Sequence, residues 1–168
     1  GYDTTLPVTM ADVTSRTAAV ARAVDDALVV ADMPFLSFGV DEAESVRNAG
    51  TLLKKADADA VKLESGPHTV ETTRRMTAVG IPVMAHLGLT PQHVNRLGGY
   101  TQQGTDQDAA EEILELARAH EAAGAFALVI EHVPATLAAA VTDALAIPTI
   151  GIGAGPDCDG QVLVINDV

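Results

Sequence analysis

Four apolar, β-branched runs in this chain end on a residue able to bind a metal, hold a charge or move a proton. They are Val29-Val30-Ala31-Asp32, Ala60-Val61-Lys62-Leu63-Glu64, Pro82-Val83-Met84-Ala85-His86 and Leu128-Val129-Ile130-Glu131. Helical patterns lie between the runs. Thr9 or Asp12 can cap a helix reaching about residue 24, and Asp41 with Glu42 and Glu44 opens a second that ends near residue 56. A third covers 68–78 and is stopped by Gly80 and Pro82; a fourth covers 106–123, with Gly124 as its C-cap; Pro134 opens a fifth over 135–145. Strands are expected at 28–32, 59–64, 82–87, 126–131 and 147–152, with a further one at 162–166. Near-continuous apolar strands joined by helices predict an α/β fold with a parallel sheet covered on its outer side, either closed or doubly wound. Parallel strands of α/β barrels carry their chemistry at their C-terminal ends, so the four endings predict one shared rim.

The chain is one domain's worth, residues 1–168, without a visible linker or low-complexity segment. Its 48% hydrophobic content supports a core, which must be aliphatic because aromatics supply only 3%. The formal net charge of −13 argues against nucleic acid and anionic membranes as partners, since both need the opposite sign. Asp outnumbers Lys by 14 to 3, a balance expected of a surface kept hydrated in a salt-rich cytosol. Cys158 stands alone, so no internal disulfide can form, and no signal peptide or long apolar span is visible. A soluble, cytoplasmic protein is expected. The start at Gly1, in a loop-like stretch without Met, is read as part of a longer chain.

Each rim residue has a plain structural alternative. Asp32 can be a hard-metal ligand or the cap of a following helix. Lys62 and Glu64, two apart on a strand, share a face, where they serve a substrate and a metal or simply form an interior ion pair. His86 precedes a sharp turn and can be a ligand or a hydrogen-bonded core residue. Glu131 leaves an apolar strand, and partial desolvation there raises a carboxyl pKa toward the range of a general base. His68, His93 and His120 read as surface residues, and His132 is left open. Residues 88–107 form a long connection beyond His86 and are expected to be a lid or a variable surface loop. Gly151-Ile152-Gly153-Ala154-Gly155 is a weak dinucleotide signal and a better candidate for a turn whose backbone approaches a ligand or neighbouring strand.

Six stretches carry a resemblance: Thr5-Leu6-Pro7-Val8-Thr9, Ala31-Asp32-Met33-Pro34-Phe35, Val61-Lys62-Leu63-Glu64, His86-Leu87-Gly88-Leu89-Thr90-Pro91-Gln92, Gly98-Gly99-Tyr100, and Ile150-Gly151-Ile152-Gly153-Ala154-Gly155 with Asp159-Gly160-Gln161. In order and spacing the chain resembles the ketopantoate hydroxymethyltransferase family. The resemblance implies a (β/α)8 TIM-type barrel, of which about six β/α units are present here. It implies Mg²⁺, with Mn²⁺ or Co²⁺ possible alternatives, held by Asp32 and Glu64. Asp32, Lys62 and His86 would contact the substrate and Glu131 would be the catalytic base. The implied reaction carries a hydroxymethyl group from 5,10-methylenetetrahydrofolate to the α-keto acid 3-methyl-2-oxobutanoate through a metal-stabilised enolate. The folate contacts are not assigned. A homo-oligomer, commonly a decamer, is implied as well.

The family pattern has two further strands upstream, the second carrying an Asp-Ser pair that supplies another metal ligand and a substrate contact, and a further helical region downstream. This span by itself is therefore expected to be inactive. Two other functions compete: a metal-dependent C–C lyase acting on an α-keto acid without folate, and an inactive truncated paralogue serving as an interaction module.

Overall fold

The computed structural model describes residues 2–164. Six strands form one parallel sheet in strictly sequential order: β1 Val30–Asp32, β2 Ala60–Glu64, β3 Val83–Gly88, β4 Ala127–Glu131, β5 Thr149–Ile152 and β6 Gly160–Gln161. The order never reverses, so the sheet has no switch point of the doubly wound kind. It is a half-barrel, in keeping with part of a TIM barrel. Among the described residues β1 and β6 are its two edges.

The helices begin where side chains can satisfy unpaired N–H groups. Thr9 caps α1 (Met10–Ala21) in a reciprocal box with Asp12, Asp41 caps α2 (Glu42–Ala56), and Asp106 caps α5 (Gln107–Ala122) through Ala109 N at 3.0 Å. In α2, Glu42 and Glu44 occupy the first turn and Lys54 and Lys55 the last, matching the helix dipole at both ends. Helix α3 (Val70–Ala78) follows a 3-10 turn at Pro67–Thr69, and α6 (Ala135–Ala144) follows Pro134. Gly124 lies one position past the C-cap Ala123 of α5, at φ 98°, with Thr77 occupying the space of a side chain. The connection at 88–107 contains a 3-10 turn, Pro91–His93, and a short helix α4, Val94–Leu97.

Alternation along the strands sorts residues into two layers. Val61, Leu63, Val83, Ala85, Leu128 and Ile130 face outward and pack under the helices in two clusters, one beneath α1 to α3 and one beneath α5 and α6. The opposite face holds a smaller cluster, Met84, Ala127 and Val129 with Val30, Ile150 and Ile152. Lys62 and Glu64 share that inner face, level with Met84 and His86, and His86 and Glu131 stand two residues past Met84 and Val129 on their own strands.

Two expectations need correction. The sixth strand pairs at Gly160–Gln161, earlier than 162–166: Gln161 stays in register with Gly151, whereas residues 162–164 carry no strand, and 165 and 166 lie outside the described residues. His120 is not a surface residue. It is fully buried between α5 and α3, with Nδ1 3.0 Å from the Thr73 hydroxyl. The glycine-rich turn is a close-packing device: Gly155, at φ 85°, meets the Ala135 side chain, and Gly151 faces Cys158 and Gln161.

Burial pushes the His120 imidazole down to about 4. A histidine whose folded pKa is depressed contributes stability above its unfolded value, near 6.5, and loses it as pH falls through the folded one. Resistance of the protein to urea should therefore fall as pH drops from about 6.5 to about 4, and His120→Gln should flatten that acid slope. An unchanged slope would remove His120 from the account. Potassium chloride raised from about 0.1 M to about 1 M shortens the screening length from about 10 Å to about 3 Å. Melting temperature should rise with it as the self-repulsion of a −13 chain is screened.

Candidate active site

The register of the parallel strands brings the rim together. Glu64 on β2 lies opposite His86 on β3, and Gly88 at the end of β3 lies opposite Glu131 on β4. Asp32 pairs laterally with Lys62. All five charged or titratable strand-end residues named from the sequence line one cavity of about 1120 Å³.

A line of contacts crosses the inner face. Lys62 Nζ lies 2.8 Å from Asp32 Oδ1 and 3.5 Å from His86 Nδ1, and His86 Nε2 lies 3.0 Å from Glu131 Oε2. The last is an ion-pair distance whose direction falls short of a hydrogen bond. An ammonium group can only donate, so a contact to Lys62 leaves His86 Nδ1 as the acceptor and puts the ring proton of the neutral form on Nε2, facing Glu131. Burial holds the His86 pKa below its ordinary value; Glu131 opposes that shift and Lys62 adds to it.

Asp32 does not cap a helix: turns follow it, and the next helix is capped by Asp41. Its side chain is 54% exposed, whereas that of Glu131 is 17% and that of Glu64 only 3% exposed. The most desolvated carboxylate of the rim is therefore Glu64. Burial pushes its pKa up to about 8, against the opposing effects of a Gln92 backbone hydrogen bond and the Lys62 charge.

The segment after β3 supplies partners that sequence reasoning missed. The backbone N–H of Gln92 donates to both Glu64 oxygens, at 2.9 and 3.1 Å, and the Gln92 side-chain amide donates to Met33 O at 2.8 Å. His93, expected at the surface, is half-buried, with Nδ1 3.0 Å from the Thr90 hydroxyl and 3.8 Å from Glu64 Oε2. Burial lowers its pKa, with Arg96 and His68 acting in the same direction. Arg16 and Tyr100 also line the cavity. The motif Thr90-Pro91-Gln92 was visible in the sequence, but the direction of a backbone N–H was not.

The 88–107 connection is tied to the rim at several points. Leu89 N donates to Glu131 O at 2.8 Å and Gln103 N to His132 O at 3.0 Å. His132 adopts φ 48° and bonds through its own N–H to Ile152 O, so it turns the chain out of β4. Gly88 sits at φ 90°, and a side chain there would meet the Glu131 carbonyl oxygen. That close approach lets the loop leave β3 without displacing Glu131.

Among the described residues no group of three or more His, Cys, Asp or Glu side chains is placed to hold a metal ion. Asp32 and Glu64 nonetheless direct carboxylates to one cavity. Two carboxylates, with other positions left to water and substrate, are a donor set that fits Mg²⁺. Also among the described residues, no helix is long and apolar enough to cross a membrane.

In solved structures, the fold is similar to that of a putative phosphonomutase from Burkholderia cenocepacia J2315, with a TM-score of 0.65 at 19% identity, over 86% of this chain and 62% of that one. At that identity the likeness concerns architecture alone. In sequence, the chain is 76% identical over its whole length to a 3-methyl-2-oxobutanoate hydroxymethyltransferase of Halobacterium salinarum and 72% identical to one of Natronomonas pharaonis. It spans 61% and 62% of the lengths of these relatives. The ketopantoate hydroxymethyltransferase profile matches residues 1–168. With that match over every residue, the chain belongs to the ketopantoate hydroxymethyltransferase family.

Proposed function

We propose that the protein carrying this chain transfers a hydroxymethyl group from 5,10-methylenetetrahydrofolate to 3-methyl-2-oxobutanoate, giving 2-dehydropantoate and tetrahydrofolate in a cytoplasmic biosynthetic pathway. The observation that carries the reading is the convergence of Asp32, Lys62, Glu64, His86 and Glu131 on one cavity in a chain of this family.

Asp32 and Glu64 would hold a divalent cation, Mg²⁺ in the first instance. When bound, the cation would supply Lewis acidity that polarises the 2-oxo group of the α-keto acid and makes its C3 proton acidic. Glu131 would take that proton, because its carboxylate faces the cavity at the end of β4. His86, held neutral by burial, positions Glu131 through the 3.0 Å contact. Lys62 places a positive charge beside Asp32, where it can meet the substrate carboxylate. The carbon nucleophile left at C3 would then form a C–C bond to the one-carbon unit, whose bonds to the folate nitrogens break while water supplies the hydroxyl oxygen, so that 2-dehydropantoate and tetrahydrofolate are released. We also propose that the working form is a homo-oligomer. The 168 residues alone, whose sheet among the described residues runs only from β1 to β6, are expected not to turn over.

The test uses the whole protein with 3-methyl-2-oxobutanoate and Mg²⁺, with and without methylenetetrahydrofolate. Folate-dependent formation of 2-dehydropantoate is expected, along with exchange of the C3 proton into D₂O when folate is omitted. Glu131→Gln should lower both rates by about 10²- to 10⁴-fold, the range for loss of a general base. Cleavage of the keto acid without folate would replace the reading with the lyase alternative, and absence of turnover would favour the interaction module.

Cation binding should depend on pH through Glu64. A carboxyl with a pKa of about 8 holds its proton at neutral pH, so a cation must displace it. Mn²⁺ affinity should rise as pH approaches about 8, with proton release seen as a buffer-dependent enthalpy in titration calorimetry. Glu64→Gln should abolish that release; affinity independent of pH would argue against Glu64 as a ligand.

A further inference from the structure

Gln92 touches the ends of two strands other than the one it follows. Its backbone N–H reaches both carboxylate oxygens of Glu64 at the end of β2, and its side-chain amide reaches the carbonyl of Met33, the residue after Asp32 at the end of β1. It enters from the loop after β3, and its side chain is buried. We infer that Gln92 is the positioning residue that fixes the two cation carboxylates, Asp32 and Glu64, relative to one another. The inference rests on the proposed role of those carboxylates.

The local chemistry explains why this residue can do both jobs. Pro91 is the first residue of the 3-10 turn and has no N–H, so Gln92 supplies the first donor of that turn. The opening donors of a helical turn find no partner within it, and here the donor meets a buried carboxylate. These are the only hydrogen bonds the Glu64 carboxylate accepts among the described residues. Met33 is tied on its other side as well, its N–H donating to Lys62 O at 3.0 Å. The amide of Gln92 thus closes a ring through Met33, β2 and Glu64, with Asp32 on one side of it and the Glu64 carboxylate on the other. An outer residue that orients metal ligands typically changes metal affinity by about 10- to 100-fold when removed.

The experiment measures Mn²⁺ affinity of the whole protein by electron paramagnetic resonance, alongside melting temperature without added metal. Gln92→Met keeps the length of the side chain and the backbone N–H but removes the amide donor. It should weaken Mn²⁺ binding by about 10- to 100-fold. Gln92→Asn, one carbon short of the Met33 carbonyl, should show the same loss and serves if the first variant does not fold. Thr77→Val, which removes a hydrogen bond to Ala123 O between α3 and α5, is the control for lost stability and should leave the affinity unchanged. Wild-type affinity in the Gln92 variants would overturn the inference, as would equal weakening in Thr77→Val at a matched loss of melting temperature. Glu64→Gln separates the two readings: if it too binds Mn²⁺ as tightly as the wild type, the cation reading itself fails.

Discussion

The lateral register of β2, β3 and β4 is the constraint on which the rest of the site depends. Opposed residues in parallel strands share a face, so Glu64 beside His86 and Gly88 beside Glu131 follow from the same pairing. A slip of one residue on β3 would turn His86 into the helix layer and Leu87 into the cavity. The two outer clusters oppose such a slip, because Val83, Ala85 and Leu87 would leave the packed layer together. The apolar core thereby fixes the polar site without touching most of it.

The electrostatics of the inner face are unbalanced. On the strands, Asp32, Glu64 and Glu131 carry three potential negative charges against the one permanent cation of Lys62, with Arg16 of α1 a further cation lining the cavity. Neutral His86 relieves none of the excess. In the buried corner desolvation pushes the Glu64 carboxyl up to about 8, with Asp32 and Glu131 adding to the rise and the Gln92 N–H and Lys62 opposing it. The contacts also divide the labour: Lys62 and His86 link Asp32 to Glu131 across the face, while the Gln92 backbone attends to Glu64 from the loop.

Much of this was legible in the sequence because strands and helix starts carry local signatures. Thr9, Asp41 and Asp106 announce their helices by side-chain chemistry, and alternation placed Lys62 and Glu64 on one face. The strand ends on the rim followed from apolar runs that stop at a charge. What escaped depended on tertiary placement. His120 sits in a helix of mixed polarity, and only the approach of Thr73 from α3 makes its position an interior one. Glu64 and Glu131 both end apolar strands, yet only the loop that folds over Glu64 decides which is the more deeply buried. Gln92 was quoted within a motif, but its task is divided between an amide and a backbone N–H aimed at different strands, and no residue-type pattern encodes that. The last strand is short because its pairing ends at Gln161, whereas the apolar residues just beyond it attracted the assignment.

The sequential strand order has a consequence for how the site comes into being. Among the described residues each strand pairs with its nearest neighbours in the chain, so each of these ladders closes across one crossover between consecutive strands. The rim can then be assembled in the order of synthesis: Asp32 meets Lys62, Glu64 meets His86, and Glu131 arrives when β4 docks on β3. The acidic excess accumulates step by step along this order, and Lys62 is delivered ahead of both Glu64 and Glu131. Within these strands the lysine comes beside the carboxylate of Asp32 as soon as β1 and β2 pair, so its placement is tied to the register that builds the sheet as well as to the finished site.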